Sequence, residues 1–309
     1  MVEHTRFHGI HAATVCPMRS DYTIDEDALA RHVAAVAAVP GIPGLLVNGH
    51  AGENYLLTRE EMKRVVTCVR ASVPANCNLT VGVNAESSTE AARIAADAEA
   101  AGADALLVFP PNSWALNHDR EMVLAHHRHV LEASRLPLVL YHAPVGAGRM
   151  AYSPETVAAL VEEERVQAIK EGSWEVATYE QMWRLVKARR PDIAVLGSGD
   201  EHILTSLLIG SDGAQFSLAA FVQELTVAVY RAAKDGDWVE SRRLHDLMYP
   251  LSVAIYRRAP GNRATARLKQ CLAMLGRIPS AIARPPIQPL RDAECEELRK
   301  ALEIAGALG

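Results

Sequence analysis

Little in the sequence would tie it to a nucleic acid, a membrane or an oxidising compartment. Aromatic residues make up 5% of the chain and the net charge is −5. Its basic clusters, Lys187-Ala188-Arg189-Arg190 and Arg257-Arg258, are short and lack the interleaved aromatics of a nucleic-acid platform, so they read as solvated surface. No stretch reaches the roughly 18 apolar residues needed to span a bilayer. The opening MVEHTRFHGIHAATVCPM has no apolar signal core, so a cytoplasmic protein is expected. The five cysteines, Cys16, Cys68, Cys77, Cys271 and Cys295, are odd in number and show no C-x-x-C spacing. That argues for reduced thiols rather than a disulfide frame or a zinc site.

What the chain does have is apolar residues, 49% of 309. This is enough for one large α/β barrel or two smaller domains. Eight short apolar runs decide between them: Gly9 to Thr14, Gly44 to Asn48, Asn78 to Val83, Ala105 to Phe109, Leu138 to Tyr141, Val166 to Ile169, Ile193 to Leu196 and Gly213 to Phe216. Most are rich in Val, Leu and Ile without strict polar alternation, as parallel strands covered on both faces are. Between them run helical patterns. Thr23-x-x-Glu26, Thr58-x-x-Glu61 and Ser87-x-x-Glu90 each match a capping box, and Ser153-Pro154 an N-cap with proline at the first helical position. Eight strands each followed by a helix make a (β/α)8 TIM barrel over residues 1–235, with a C-terminal helical extension over 236–309 packed on it.

Active sites of such barrels lie at the C-terminal ends of the strands. Collected in order, those ends read "NGHAGE", Gly82-Val83-Asn84, "FPPNSW", "YHAPVGAG", Lys170, "GSGDE" and Phe216-Ser217. Lys170 ending strand six, with Tyr141 ending strand five beside it, puts an amine and a phenol in one mouth. That pair can form a carbinolamine and then a Schiff base with a carbonyl substrate. The amine must be neutral to attack. At a reference pKa of about 10.4, on the order of one lysine in a thousand is neutral near pH 7.4. Desolvation that lowers the pKa by about 3 units makes roughly half of them nucleophilic, at a cost of about 4 kcal/mol. The plainer alternative places Lys170 in a salt bridge with Glu171 or another mouth carboxylate and Tyr141 at the rim as a hydrogen-bond donor.

The segments "NGHAGENYLLTREE", "PLVLYHAPVGAGRMAYSPETVAAL", "VQAIKEGS" and "LGSGDEHILTSLLIGSDGAQFS", in this order, resemble the dihydrodipicolinate synthase / N-acetylneuraminate lyase superfamily of class I aldolases. The resemblance spans essentially the whole chain. It implies a homotetrameric barrel that forms a Schiff base between Lys170 and a 2-oxo acid such as pyruvate or a keto-deoxy sugar acid, with no metal or organic cofactor. It implies further that Tyr141 is the catalytic tyrosine, that Gly49, His50 and Ala51 hold the substrate carboxylate through backbone N–H groups, and that Phe216 lines the pyruvyl pocket. Three places along the chain depart from the pattern. His50 and Ala51 stand where many members carry hydroxyls. Pro111 and Asn112 replace two tyrosines, and Gly146 replaces an arginine for which Arg149 is a nearby candidate. These departures argue against lysine biosynthesis and for a different second substrate.

His50 could serve as a base or as filler of the turn. Glu53 is expected to tie down its own turn, and His142 to point away from the mouth. Rival readings carry less. "HHRH" at His126 to His129 suggests a metal-dependent aldolase, but it falls in the fourth barrel helix, where a solvated face is expected instead. Gly197-Ser198-Gly199 hints at phosphate, which Asp200-Glu201 would repel. The expected function is therefore an aldolase-type lyase acting on a 2-oxo acid and possibly an aldehyde. The alternatives are a dehydratase of a deoxy-keto sugar acid by the same chemistry, or a non-catalytic 2-oxo-acid-binding barrel.

Overall fold

The computed structural model describes residues 5–308; residues 1–4, with which the N-terminal stretch opens, and Gly309 lie outside them. Eight strands form a closed parallel barrel in sequence order. They are Gly9–Ala13 (β1), Gly44–Val47 (β2), Asn78–Val83 (β3), Ala105–Val108 (β4), Leu138–His142 (β5), Val166–Glu171 (β6), Ala194–Gly197 (β7) and Gly213–Phe216 (β8). Eight helices cover them: Glu26–Ala37 (α1), Arg59–Ser72 (α2), Ser88–Ala100 (α3), Arg120–Ala133 (α4), Pro154–Leu160 (α5), Val176–Arg189 (α6), Ile203–Ile209 (α7) and Gln223–Lys234 (α8). Three more follow: Trp238–Tyr256 (α9), Ala264–Met274 (α10) and Asp292–Ile304 (α11).

The apolar strands divide their side chains between two layers. Outward residues such as Leu45, Val81, Leu106 and Ile169 join the helices in the larger core. Inward residues, among them Leu46, Leu107, Val139, Ala168 and Leu196, fill the barrel itself. Both faces are dry, which is why the strands read as continuous apolar runs.

The helix starts follow their caps with two corrections. Thr58 and Glu61 form a reciprocal capping box on α2, and Ser153 caps α5 with Pro154 at its first position. Ser87 caps α3 by accepting from the Glu90 N–H at 3.2 Å, but the expected box is not completed, since the Glu90 carboxylate accepts from Arg93 at 3.4 Å instead. On α1 the expected Thr23–Glu26 box does not form. The Thr23 hydroxyl donates to Asp21 at 2.7 Å, and Asp25 caps the helix by accepting from the Ala28 N–H at 3.1 Å. A carboxylate immediately before the first turn takes the place of a hydroxyl two residues earlier.

The C-terminal helices reach back over the strand ends. The Thr265 hydroxyl on α10 donates to the His50 carbonyl at 3.3 Å. Glu53 and Lys269 form an ion pair with both side chains fully buried. The same carboxylate accepts the Arg284 N–H at 2.9 Å, while the Arg284 guanidinium bonds both oxygens of Glu61 at 2.7 and 2.9 Å. Glu53 therefore does not simply tie down its own turn: it fastens that turn to the extension.

Candidate active site

Parallel register pairs Tyr141 on β5 with Lys170 on β6, so both side chains leave the barrel wall on the same inward face. The Lys170 ammonium lies 5.9 Å from the centre of the Tyr141 ring. Strand β6 runs one residue past Lys170, and the alternation sends Glu171 outward. There Glu171 meets His142 at 2.7 Å and accepts the Ser173 hydroxyl at 3.0 Å. His142 thus points away from the mouth, as alternation requires. Glu171 spends its carboxylate behind the barrel wall, and among the described residues Lys170 forms no ion pair.

The mouth is a cavity of about 440 Å³. Its floor is Ala13, Leu46, Tyr141, Lys170 and Phe216, and its roof comes from α9 and α10 through Tyr256, Ala264, Thr265 and Leu268. His50 and Ala51 line one side. They open a short 3-10 turn, His50–Gly52, for which Gly49 is the N-cap without a side-chain cap. The first N–H groups of such a turn have no intrahelical acceptor, which makes this corner receptive to a carboxylate. Gly49 supplies backbone to the turn and does not itself line the cavity. The turn sits low because β3 lets it: a Cβ on Gly82 would fall 1.9 Å from the Asn48 carbonyl oxygen. Phe109 at the end of β4 packs between His50 and Tyr141, with ring centres 4.4 and 4.7 Å apart.

Electrostatics at this site follow burial. Enclosure of Lys170 lowers its pKa to about 8, against an opposing pull from Asp200. Asp200 is raised to about 6, first by burial and despite hydrogen bonds and the Lys170 charge that favour its ionised form. His50 falls to about 4 through burial and then the Lys170 charge, which leaves a neutral imidazole. The residue as a whole is solvent-exposed and also lines the cavity, so its ring is within reach of solvent and of a ligand. Burial also pushes the Tyr141 phenol up, keeping it a proton donor at neutral pH.

Reading the sequence did not single out the acid next to the amine. Asp200 accepts the Ser217 hydroxyl at 3.1 Å and the Leu218 N–H at 3.0 Å, and Ser217 in turn touches the Tyr256 hydroxyl. Asp200 and Ser217 lie in the strand-end segments after β7 and β8, which was the available signal. Tyr256 closes α9 and reaches the mouth by tertiary packing alone. Substituting Asp200→Asn removes the charge that holds a proton on Lys170. The Lys170 pKa, lowered to about 8 in the native protein, is expected to move further down. The rate of borohydride trapping across pH 5–10 measures it, and an unmoved midpoint would show that the two groups do not communicate.

Other candidates fall away from the cavity. Arg149, the nearby candidate for the arginine absent at Gly146, donates to Asn117 at 2.5 Å and is not among the residues that line the cavity. The Asn112 and Ser113 N–H groups are held by Glu86, each at 3.0 Å. The solvated face expected for His126 to His129 holds for Arg128 and His129 only. His126 and His127 are buried, with Trp114 close to the first and Tyr152 to the second, and bond Ser88 at 3.0 Å and the Val123 carbonyl at 2.8 Å. Among the described residues no three His, Cys, Asp or Glu side chains are grouped to hold a metal ion, and no helix is long and apolar enough to cross a membrane.

A closed (β/α)8 barrel with a lysine and a tyrosine converging in its mouth has the form of a lyase of the class I aldolase type, and its relatives carry synthase and aldolase names. Residues 6–305 match the Dihydrodipicolinate synthetase family, and the chain belongs to it. It is 31% identical over 299 residues to a 4-hydroxy-tetrahydrodipicolinate synthase of Methanothrix thermoacetophila, covering 96% of each chain. It is 29% identical over 311 residues to a probable 2-dehydro-3-deoxy-D-pentonate aldolase of Escherichia coli, covering 98% of this chain and 99% of that one. The crystal structure of a dihydrodipicolinate synthase from Agrobacterium tumefaciens superposes with a TM-score of 0.87 at 28% identity, over 97% of this chain and 99% of that one.

Proposed function

We propose that Lys170 forms an imine with the carbonyl of a 2-oxo acid such as pyruvate and that the enzyme makes or cleaves the adjacent carbon–carbon bond. The observation that carries this is the cavity-lining Lys170 amine, its pKa lowered to about 8 by burial, beside the Tyr141 phenol. The Nζ lone pair attacks C2 of the oxo acid, and Tyr141 protonates the carbonyl oxygen to give the carbinolamine. Loss of water gives the iminium, and loss of a C3 proton gives the enamine, the nucleophile of an aldol step. The carboxylate rests on the N–H groups of the turn that begins at Gly49, with His50 and Ala51 at its edge and Phe216 against the methyl end. No metal or organic cofactor enters these steps.

Barrel and extension act as one catalytic unit in this reading, since α9 and α10 roof the cavity. A cytoplasmic homotetramer is the form expected of it. Dehydration of a deoxy-keto sugar acid through the same imine is the second reading. Borohydride reduction in the presence of pyruvate and of longer 2-oxo acids, followed by peptide mapping, is expected to leave a reduced adduct on Lys170. No adduct there with any of these acids would sink the mechanism.

A further inference from the structure

Beyond the floor that holds the 2-oxo acid, the cavity has an outer wall with its own chemistry. Tyr55, Pro144, Trp174, Tyr256, Ala264 and Leu268 build it. Trp174 is held there with φ 58°, the left-handed region that a bulky side chain rarely adopts. That backbone turn, directly after the Gly172-Ser173 bend, sets the indole 5.0 Å from the Tyr256 ring at an interplanar angle of 56°. Together they make an aromatic corner above the lysine.

Charge on this wall is equally informative. Among the described residues, Lys170 is the cation that lines the cavity. Neighbouring guanidinium groups are spent elsewhere: Arg257 on Glu201 at 2.7 Å, Arg149 on Asn117, and Arg284 on Glu61. The acid on the wall, Asp200, repels an anion and has one oxygen committed to Ser217 and Leu218. Hydroxyls line the cavity on Tyr55, Tyr141, Ser198, Ser217, Tyr256 and Thr265, with Ser217 and Tyr256 spent on each other and Thr265 on the His50 carbonyl. Asp200 is the carboxylate of this lining, and no Asn, Gln, Arg or Glu side chain joins it to grip a carboxylate or a run of hydroxyls.

We propose that the second reactant is an uncharged aldehyde whose far end is a flat apolar ring seated against Trp174 and Tyr256. This rests on the imine reading above and deepens it. The enamine carbon, C3 of the bound oxo acid, attacks the aldehyde carbon, forming one carbon–carbon bond as the aldehyde π electrons pass to its oxygen. That oxygen takes the Tyr141 proton and becomes the C4 hydroxyl. Water then adds to the iminium and releases a 4-hydroxy-2-oxo acid, returning Lys170 as the free amine. Cleavage runs the same steps backwards, and no oxidant or reductant is needed. A cavity of about 440 Å³ has room for a three-carbon acid and one ring together.

The test pairs pyruvate with benzaldehyde, with glyoxylate as the carboxylated aldehyde and with D-glyceraldehyde as the hydroxylated one, and follows product by mass. The expected order puts benzaldehyde at least about tenfold ahead of both in kcat/KM. The Trp174→Ala variant is expected to raise the benzaldehyde KM by about tenfold, more than it raises that for pyruvate, and Trp174→Phe to restore most of the loss. Glyoxylate or glyceraldehyde matching benzaldehyde would overturn the proposal, as would a Trp174→Ala variant with an unchanged benzaldehyde KM. Pyruvate trapping is run in parallel. A Lys170 adduct without ring preference overturns the substrate class and leaves the imine standing; no adduct overturns both.

Discussion

Replacing Lys170 by Met is expected to abolish borohydride trapping and lower turnover by more than about 10⁵-fold, while the folded protein becomes more stable at neutral pH. The two effects have one cause. Burial lowers the Lys170 pKa from 10.5 to about 8, so the fold pays to keep a proton there that the unfolded chain holds readily. For a cation lowered in this way, the penalty is fully present below about pH 8 and is relieved as pH rises from 8 towards 10.5. Each unit corresponds to about 1.4 kcal/mol. With cavity water reaching the amine, a gain of about 1–3 kcal/mol near pH 7 is a reasonable size for the variant. Urea denaturation at pH 7 and at pH 10 measures it, and the gain should shrink at the higher pH. A variant less stable at both would mark Lys170 as a packing residue rather than an amine held under strain.

The barrel was legible in the sequence because both faces of its strands are dry. Each of the eight apolar runs overlaps an observed strand; β5, β6 and β7 continue one or two residues past the run, as at Lys170 and Glu171, whereas β1, β2 and β4 stop one residue short of its end. Lys170 and Tyr141 were legible for the same reason: counting strands puts them at neighbouring ends, and the register pairs them directly. Local chemistry misled where a competing partner sat one or two residues away, as Asp25 did for Thr23. It also misled for His126 and His127, each buried in an amphipathic pattern with its Nδ1 bonded, to Ser88 and to a backbone carbonyl. The Asp200–Ser217–Tyr256 contacts join segments 17 to 56 residues apart and the roof meets the His50 turn across 215, and no spacing rule carries that information.

The Glu53–Lys269 pair is the contact on which the roof depends. Neither side chain is exposed, and the pair joins the turn beside the carboxylate corner to α10 across the mouth. A buried ion pair is a weak source of net stability, because desolvating two charges offsets most of their attraction. Removing one partner is another matter. Lys269→Met leaves the Glu53 carboxylate buried with the Arg284 N–H and, as its remaining cation, an Arg284 guanidinium spent on Glu61, and is expected to cost about 3–5 kcal/mol in chemical denaturation. The double variant Glu53→Gln with Lys269→Met removes both charges and should recover much of that loss. Should the single variant cost no more than a surface substitution, water reaches the pair and the roof is open. Function provides a second reading of the same contact. Lys269 also donates to the Ile282 carbonyl at 2.8 Å, and Thr265, one turn earlier on α10, donates to the His50 carbonyl. Loosening α10 should therefore let the His50–Gly52 turn shift and raise the KM for the 2-oxo acid more than it lowers kcat. That split separates a helix that positions the carboxylate corner from one that only adds stability.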